Sequence, residues 1–234
     1  MEPAGGGADA ATGDAATGLV WYLAYGSNTH PDRLAAYLAG GRPSGASRTY
    51  QGCRDPGPPV ASVALEVPGA VYFATESPVW TGGRAFYDPA YDGGGGGGRG
   101  GRGAPVLARA HLVTGEQFCD IAAQEMYRPP GHGPDPDRDL GDAVRDGRAV
   151  LGGGRYETLV CPGALDGLPV LTFTAPWAME AVTLNAPSAA YVRYLSRGLL
   201  SAGTWDADTV AAYLSGCPGA AGHWTPGTVM ELMG

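Results

Sequence analysis

Lysine is absent: all 15 cationic residues among the 234 are arginine. Schiff-base chemistry, a phosphate-binding P-loop lysine and a Ser-Lys dyad are thereby excluded. Cysteine and histidine are scarce, with four of each. Cys53, Cys119, Cys161 and Cys217 form no C-x-x-C pair, and His30, His111, His132 and His223 form no H-E-x-x-H. Metal clusters need close ligand spacing in at least one arm, so neither a metal nor a cofactor is expected. Reduced, buried thiols are the plainer reading of the cysteines. No run of 18 apolar residues occurs, so no membrane-spanning helix is expected. The net charge of −8 comes without a basic stripe, which argues against nucleic acid as a partner. Residues 1–18 lack the basic and apolar regions of a signal peptide, so a cytoplasmic location is expected.

Glycine is abundant, by contrast: 40 Gly and 20 Pro make up about a quarter of the chain. Much of the glycine is clustered, and 44% hydrophobic content suffices for a packed core. The expected organisation is a disordered arm at 1–18 and a single domain over 19–234. That domain carries a flexible Gly-rich loop at 92–104 and a surface insertion at 128–154, rich in Pro, Gly and Asp. The apolar run Leu19–Tyr25 reads as a buried strand, followed by a helix from Pro31 to Leu38. Further strands are expected at 60–65, 69–75, 84–87 and 105–113. A helix from Gly115 to Tyr127 opens with a Thr114–Gln117 capping box. Strands at 156–161 and 169–174 flank an Asp166-Gly167 hairpin turn, and three helices close the chain. Strands and helices do not alternate regularly. The pattern therefore predicts an α+β fold: a mixed, largely antiparallel sheet or small barrel with peripheral helices.

Two local features carry chemistry. On the helix after Thr114, Phe118, Ile121, Ala122 and Glu125 fall at i, i+3, i+4 and i+7, so a carboxylate completes the inward stripe. Burying a carboxylate without a partner is unfavourable, and such groups are suited to general acid/base work. The alternative is that Glu125 sits at the stripe's edge or pairs with an arginine. The second feature is Ala24-Tyr25-Gly26-Ser27-Asn28, a buried strand ending at a glycine-containing turn before a helix. Successive N–H groups in such a turn can converge on an anion. An ordinary capped turn is the alternative.

Taken together, Ala24–Asn28 at the end of the first strand resembles the signature of the gamma-glutamylcyclotransferase superfamily. Trp80-Thr81-Gly82-Gly83 is similar to that family's Trp-x-Gly-Gly turn, and Ile121–Glu125 to the segment delivering its catalytic Glu. Gly154-Arg155-Tyr156 resembles its Gly-x-Tyr strand pair, and Ala186–Tyr191 followed by Gly198 its Pro-Ser-x-x-Tyr helix. Ala122 and Met126 depart from the family's Leu-Asp-x-x-Glu-Gly. The resemblance implies a metal-independent enzyme that cleaves a γ-glutamyl amide by attack of the substrate's own α-amine, releasing 5-oxoproline and an amine. It assigns proton transfer to Glu125. Substrate binding falls to Tyr22, Leu23, Ala24, Tyr25, Gly26 and Ser27, with Asn28 fixing the turn and Tyr191 reaching in from the tail helix. Tyr156 is a further candidate, with core packing as its alternative role, while Trp80 and Gly83 are read as mainly structural. The implied partner is a small γ-glutamyl amine or peptide. An amide hydrolase or acyl-transfer enzyme using Glu125, or a non-catalytic binding module, are the other readings of the same residues.

Overall fold

Leu19–Ala24, apolar at every position, forms strand β1 and is buried from Val20 onward. Such a run suits a strand covered on both faces, and β1 lies inside a six-stranded sheet. In the computed structural model, residues 18–43, 48–91 and 105–234 are described. The expected Gly-rich loop at 92–104 and all of the expected arm except Gly18 lie outside them.

After β1, a single turn at Ser27–Thr29 leads into α1 (Pro31–Ala39). Strands β2 (Ala61–Val67), β3 (Ala70–Ala74), β4 (Arg84–Asp88) and β5 (Val106–Thr114) precede α2 (Gly115–Glu125). Then come α3 (Arg138–Asp146), β6 (Arg148–Val150), β7 (Thr158–Leu165) and β8 (Leu168–Thr174). Helices α4 (Ala189–Leu200), α5 (Ala207–Gly216) and α6 (Pro226–Met233) end the chain. The main sheet has the order β2-β5-β1-β8-β7-β6, with β3 and β4 forming a separate hairpin. Only the β1–β8 pair is parallel in the main sheet. The fold is thus α+β with a mixed, largely antiparallel sheet.

Alternation along β1 divides the interior. Trp21 and Leu23 face a core completed by Val192 and Leu195 of α4, Val210 and Leu214 of α5 and Val229 of α6. Val20, Tyr22 and Ala24 face the opposite side, against Leu34 and Leu38 of α1, Phe118 and Ile121 of α2 and Leu171 of β8. Local chemistry fixes the element ends. Thr114 and Gln117 form the full capping box of α2. Asp166 and Gly167 take φ of 51° and 76° in the β7–β8 hairpin, the left-handed pair that a two-residue turn requires.

Residues 128–154, read from the sequence as a surface insertion, contain α3 and β6. Leu140 and Ala143 of α3 are buried in the second core, and β6 extends the sheet beside β7. The α2 helix stops at Glu125, two residues before the expected end, and the Met126 N–H bonds back to the Ala122 carbonyl at 3.0 Å. Tyr156 is not the start of a strand; it holds φ of 70° and β7 begins at Thr158.

Gly83 shows how closely the hairpin packs on the segment before α4. Its N–H donates to the Ala186 carbonyl at 2.8 Å, and a Cβ at Gly83 would overlap the Asn185 carbonyl. Gly83→Ala should therefore destabilise the protein by roughly 1–3 kcal/mol, the usual size of an overpacking effect. Urea unfolding measures this; an unchanged midpoint would show that the backbone yields at no cost.

Candidate active site

One cavity collects most of the residues singled out above: Tyr22, Tyr25, Gly26, Ser27, Asn28, Glu125, Tyr156 and Tyr191 all line it. It opens where β1 ends, and each wall has a local cause. The turn is held from within by the Thr29 N–H and hydroxyl, donating to the Gly26 carbonyl at 3.1 and 2.9 Å. From outside, α4 presses on it at Gly198, where a Cβ would overlap Thr29 Oγ1. The N–H groups of Gly26, Ser27 and Asn28 donate to no acceptor among the described residues. They are available to an anion or a developing oxyanion. A Cβ on Gly26 would stand 3.4 Å from the Tyr191 hydroxyl and 3.8 Å from Ala85. That is ordinary contact, so glycine here keeps the space beside the Tyr191 hydroxyl open.

Glu125 arrives from the other side. As the last residue of α2 it stands at the negative end of the helix dipole, an unfavourable place for a carboxylate. It is partly exposed rather than sealed in the core, because the helix ends one turn after Ile121. Its Oε1 accepts from Asn28 Nδ2 at 3.3 Å, and the same amide nitrogen donates to the Tyr22 hydroxyl at 2.9 Å. The amide therefore ties the end of β1, the turn and the end of α2 together. Its own Oδ1 has no partner among the described residues. The neighbouring Gln124 anchors the helix end: its amide donates to the Tyr37 carbonyl at 3.0 Å and accepts from the Gly52 N–H at 3.3 Å.

Phenols surround this pair. Burial pushes the Tyr22 hydroxyl pKa up, and the Glu125 charge adds to the rise against the Asn28 hydrogen bond. Tyr37 is raised by burial and then by Glu125. Tyr191 is raised by burial, opposed by the Ala85 N–H and reinforced by Glu125. These hydroxyls stay protonated at neutral pH and serve as neutral hydrogen-bonding groups. Tyr156 donates to the Ala85 carbonyl at 3.0 Å, which accounts for its place on the wall. Both Tyr156 and Tyr127, another cavity residue, have positive φ, 70° and 59°, a strained conformation for aromatic residues.

Leu23 and Ala24 do not line the cavity, contrary to the expectation from the sequence. The strand's two-residue alternation turns Leu23 into the core under α4–α6, fully buried, and Ala24 is buried with a side chain too short to reach past the sheet. Tyr25 touches the cavity, but its hydroxyl is spent on the Phe173 carbonyl at 2.8 Å. Trp80 has more than a structural place: it lines the cavity and stacks on Tyr191 with centroids 5.3 Å apart. Arg33, Tyr37, Arg48, Arg84 and Tyr127 also line it and were not singled out from the sequence. A signal existed for Arg33, which shares a helix face with Tyr37 at i and i+4. A charged residue on an inward face is the same anomaly that drew attention to Glu125. Arg48 and Tyr127 lie outside helices and strands, where no periodicity marks them.

Among the described residues, no group of three or more His, Cys, Asp or Glu is placed to hold a metal. The four cysteines are free. No helix among the described residues is long and apolar enough to cross a membrane.

No protein-family model matches the chain, and no curated protein matches it in sequence. Among solved structures, the chain is similar to an uncharacterized human protein at 15% identity, over 80% of this chain and 81% of that one, with a TM-score of 0.40. It is also similar to a structure named gamma-glutamyl cyclotransferase at 12% identity, over 91% of this chain and 98% of that one, with a TM-score of 0.42.

Behind the site, His111 on β5 is buried at 2% exposure, with Nδ1 2.8 Å from the Ser62 hydroxyl. Burial, aided by the Arg109 charge, pushes its pKa down to about 3. The unfolded chain therefore takes up a proton near pH 6.5 that the native protein refuses. The resulting stability is complete above about pH 6.5 and is lost as pH falls toward 3. Chemical denaturation across that range should show a decline on the order of 4 kcal/mol attributable to this residue. His111→Asn should flatten the curve; an identical slope in the variant would contradict the assignment.

Proposed function

We infer that the protein cleaves γ-glutamyl amides by intramolecular cyclisation. The observation that carries this reading is the contact between Glu125 Oε1 and Asn28 Nδ2 at 3.3 Å. It sets a carboxyl group beside a turn whose N–H groups lack acceptors among the described residues. The resemblance of Ala24–Asn28, Ile121–Glu125 and Ala186–Tyr191 to the gamma-glutamylcyclotransferase superfamily supports the same conclusion.

The chemistry needs little more. The substrate's α-amine loses a proton and attacks its own δ-carbonyl carbon, forming the C–N bond of a five-membered ring. Negative charge moves onto the carbonyl oxygen, where donors from the turn stabilise it. Collapse of that intermediate breaks the original amide bond, and the departing nitrogen takes up a proton. Glu125 accepts the proton that the attacking nitrogen sheds on ring closure and returns it to the leaving nitrogen, so it ends unchanged, while the proton lost earlier by the α-ammonium passes through solvent to the released amine. Nucleophile and electrophile belong to one molecule, so holding the chain folded supplies much of the rate. The walls of Tyr156, Tyr191 and Trp80 suit that confinement.

Incubation with a panel of γ-glutamyl amides, followed by mass spectrometry, should yield 5-oxoproline and the free amine in equal amounts. Glu125→Gln should lower the turnover rate by about 100-fold or more, the range for loss of a positioned acid/base. Free glutamate in place of 5-oxoproline would instead identify a hydrolase using Glu125 to activate water. Full activity in the variant would remove Glu125 from the mechanism.

A further inference from the structure

His111 takes no part in the chemistry above, yet the sheet sets it directly behind the turn. In the register of the main sheet it stands opposite Ser62 of β2 on one side and Tyr22 of β1 on the other. Directly opposed residues share a face, and β2 is an edge strand. Ser62, His111 and Tyr22 therefore form a row from the sheet edge to the cavity wall. The contacts follow that row. The Ser62 hydroxyl lies 2.8 Å from His111 Nδ1, and the imidazole and Tyr22 ring centres are 6.2 Å apart. The Tyr22 hydroxyl in turn accepts from Asn28 Nδ2, the atom that also donates to Glu125.

Two polar groups at the inner end of this row lack a partner. His111 is 2% exposed, and its Nε2 meets no acceptor at hydrogen-bond geometry among the described residues. The other is the Asn28 carbonyl. In the turn, the Gly26 and Ser27 carbonyls accept from the N–H groups three residues on. Three residues beyond Asn28 stands Pro31, which has no N–H, and the Asp32 N–H goes to His30 Nδ1 at 3.3 Å. The turn thus leaves this carbonyl free. The Asn28 main chain acts on the imidazole in the direction that favours an N–H there, as a carbonyl does. Burial keeps the ring neutral at neutral pH, and a neutral imidazole has one N–H and one bare nitrogen. A bare Nε2 beside a carbonyl would set lone pairs against each other. With the proton on Nε2, Nδ1 is the acceptor and Ser62 the donor.

We propose that Ser62 and His111 are positioning residues for the cyclisation. The Ser62 hydroxyl fixes the imidazole tautomer, and the Nε2–H so directed takes the Asn28 carbonyl when substrate settles against the turn. Asn28 is then held with its amide toward Glu125. This rests on the cyclisation reading above. Hydrogen bonds around an active site are often long before a ligand binds and tighten in the complex, which accounts for a donor and an acceptor standing close without a full bond. The bond made by one ring nitrogen sets the state of the other, the usual way a histidine is oriented. Neither Ser62 nor His111 touches the reacting atoms; both act through Asn28.

Nitrogen-15 NMR of the full wild-type chain reads the tautomer: His111 should carry its proton on Nε2, and a proton on Nδ1 would overturn the proposal. Ser62 is exposed, so Ser62→Ala should fold, yet it should show both tautomers and shifted Asn28 side-chain amide resonances. With γ-glutamyl-alanine as substrate, its kcat should fall about fivefold and its KM stay within about twofold, the size of one neutral hydrogen bond lost in the transition state. Ser62→Thr keeps the hydroxyl and should restore the tautomer, the Asn28 resonances and kcat. A serine with a structural role alone would change the melting temperature and leave kcat as it was, which overturns the proposal. So would an equal loss of kcat in both variants, since the hydroxyl would then not be responsible. Should Ser62→Ala fail to fold, the Glu125→Gln chain decides. Saturating γ-glutamyl-alanine should move its His111 Nε2–H proton resonance downfield, and an unmoved resonance overturns the link. If the wild type forms no 5-oxoproline, the cyclisation reading fails. The tautomer and the Asn28 resonances of Ser62→Ala then judge the link on their own.

Discussion

The site depends on how closely α4 approaches the turn after β1. Gly198 permits that approach, because Thr29 Oγ1 and the backbone of Thr29 and His30 occupy the space a side chain would need. With α4 seated there, Tyr191 brings its hydroxyl to Gly26, and Trp80 stacks on Tyr191 to close the wall. The turn itself has little freedom: β1 is central in the sheet and buried on both faces, so its end cannot shift without disturbing two cores. A turn fixed in this way presents its N–H groups in one orientation before any ligand arrives, which is the condition for electrostatic preorganisation.

Electrostatics in the cavity follows from the same packing. Glu125 sits where its helix disfavours it and Arg33 where solvent cannot reach it, and neither forms an ion pair with the other within 4.0 Å. Burial acts against the Arg33 charge, and the negative charge of Glu125 acts in its favour. The two charges remain separate, one toward the turn and one among the rings. Joining them in a direct pair would satisfy both and leave nothing to engage a ligand.

Features governed by local chemistry were the legible ones. The capping box at Thr114, the left-handed pair Asp166-Gly167 and the apolar run of β1 each follow from side-chain types at short range. The α+β class followed from their order. Within the site, Glu125 stood out because a charge interrupted a helical stripe, and the turn because a glycine ended a buried strand. The misses have physical causes. Leu23 and Ala24 were included as neighbours of the turn in sequence, yet a strand alternates its faces and the cavity meets only its end. Tyr127 was hard to place because it follows the end of α2 with a positive φ that aromatic residues rarely adopt. Arg48 reaches the cavity through a ring contact between segments distant in sequence.

The short strand β6 changes what the main sheet presents at one of its edges. It pairs with Thr158, Leu159 and Val160, the buried beginning of β7. Without it the main sheet would end at β7, an eight-residue strand offering open backbone donors and acceptors to any second chain. With it, Thr158–Val160 of β7 is covered, and the three-residue β6 turns Arg148 and Val150 toward solvent. The segment read from the sequence as a surface insertion thus covers part of a sheet edge. Trimming 128–154 would uncover Thr158–Val160 of β7 and remove Leu140 and Ala143 from the second core.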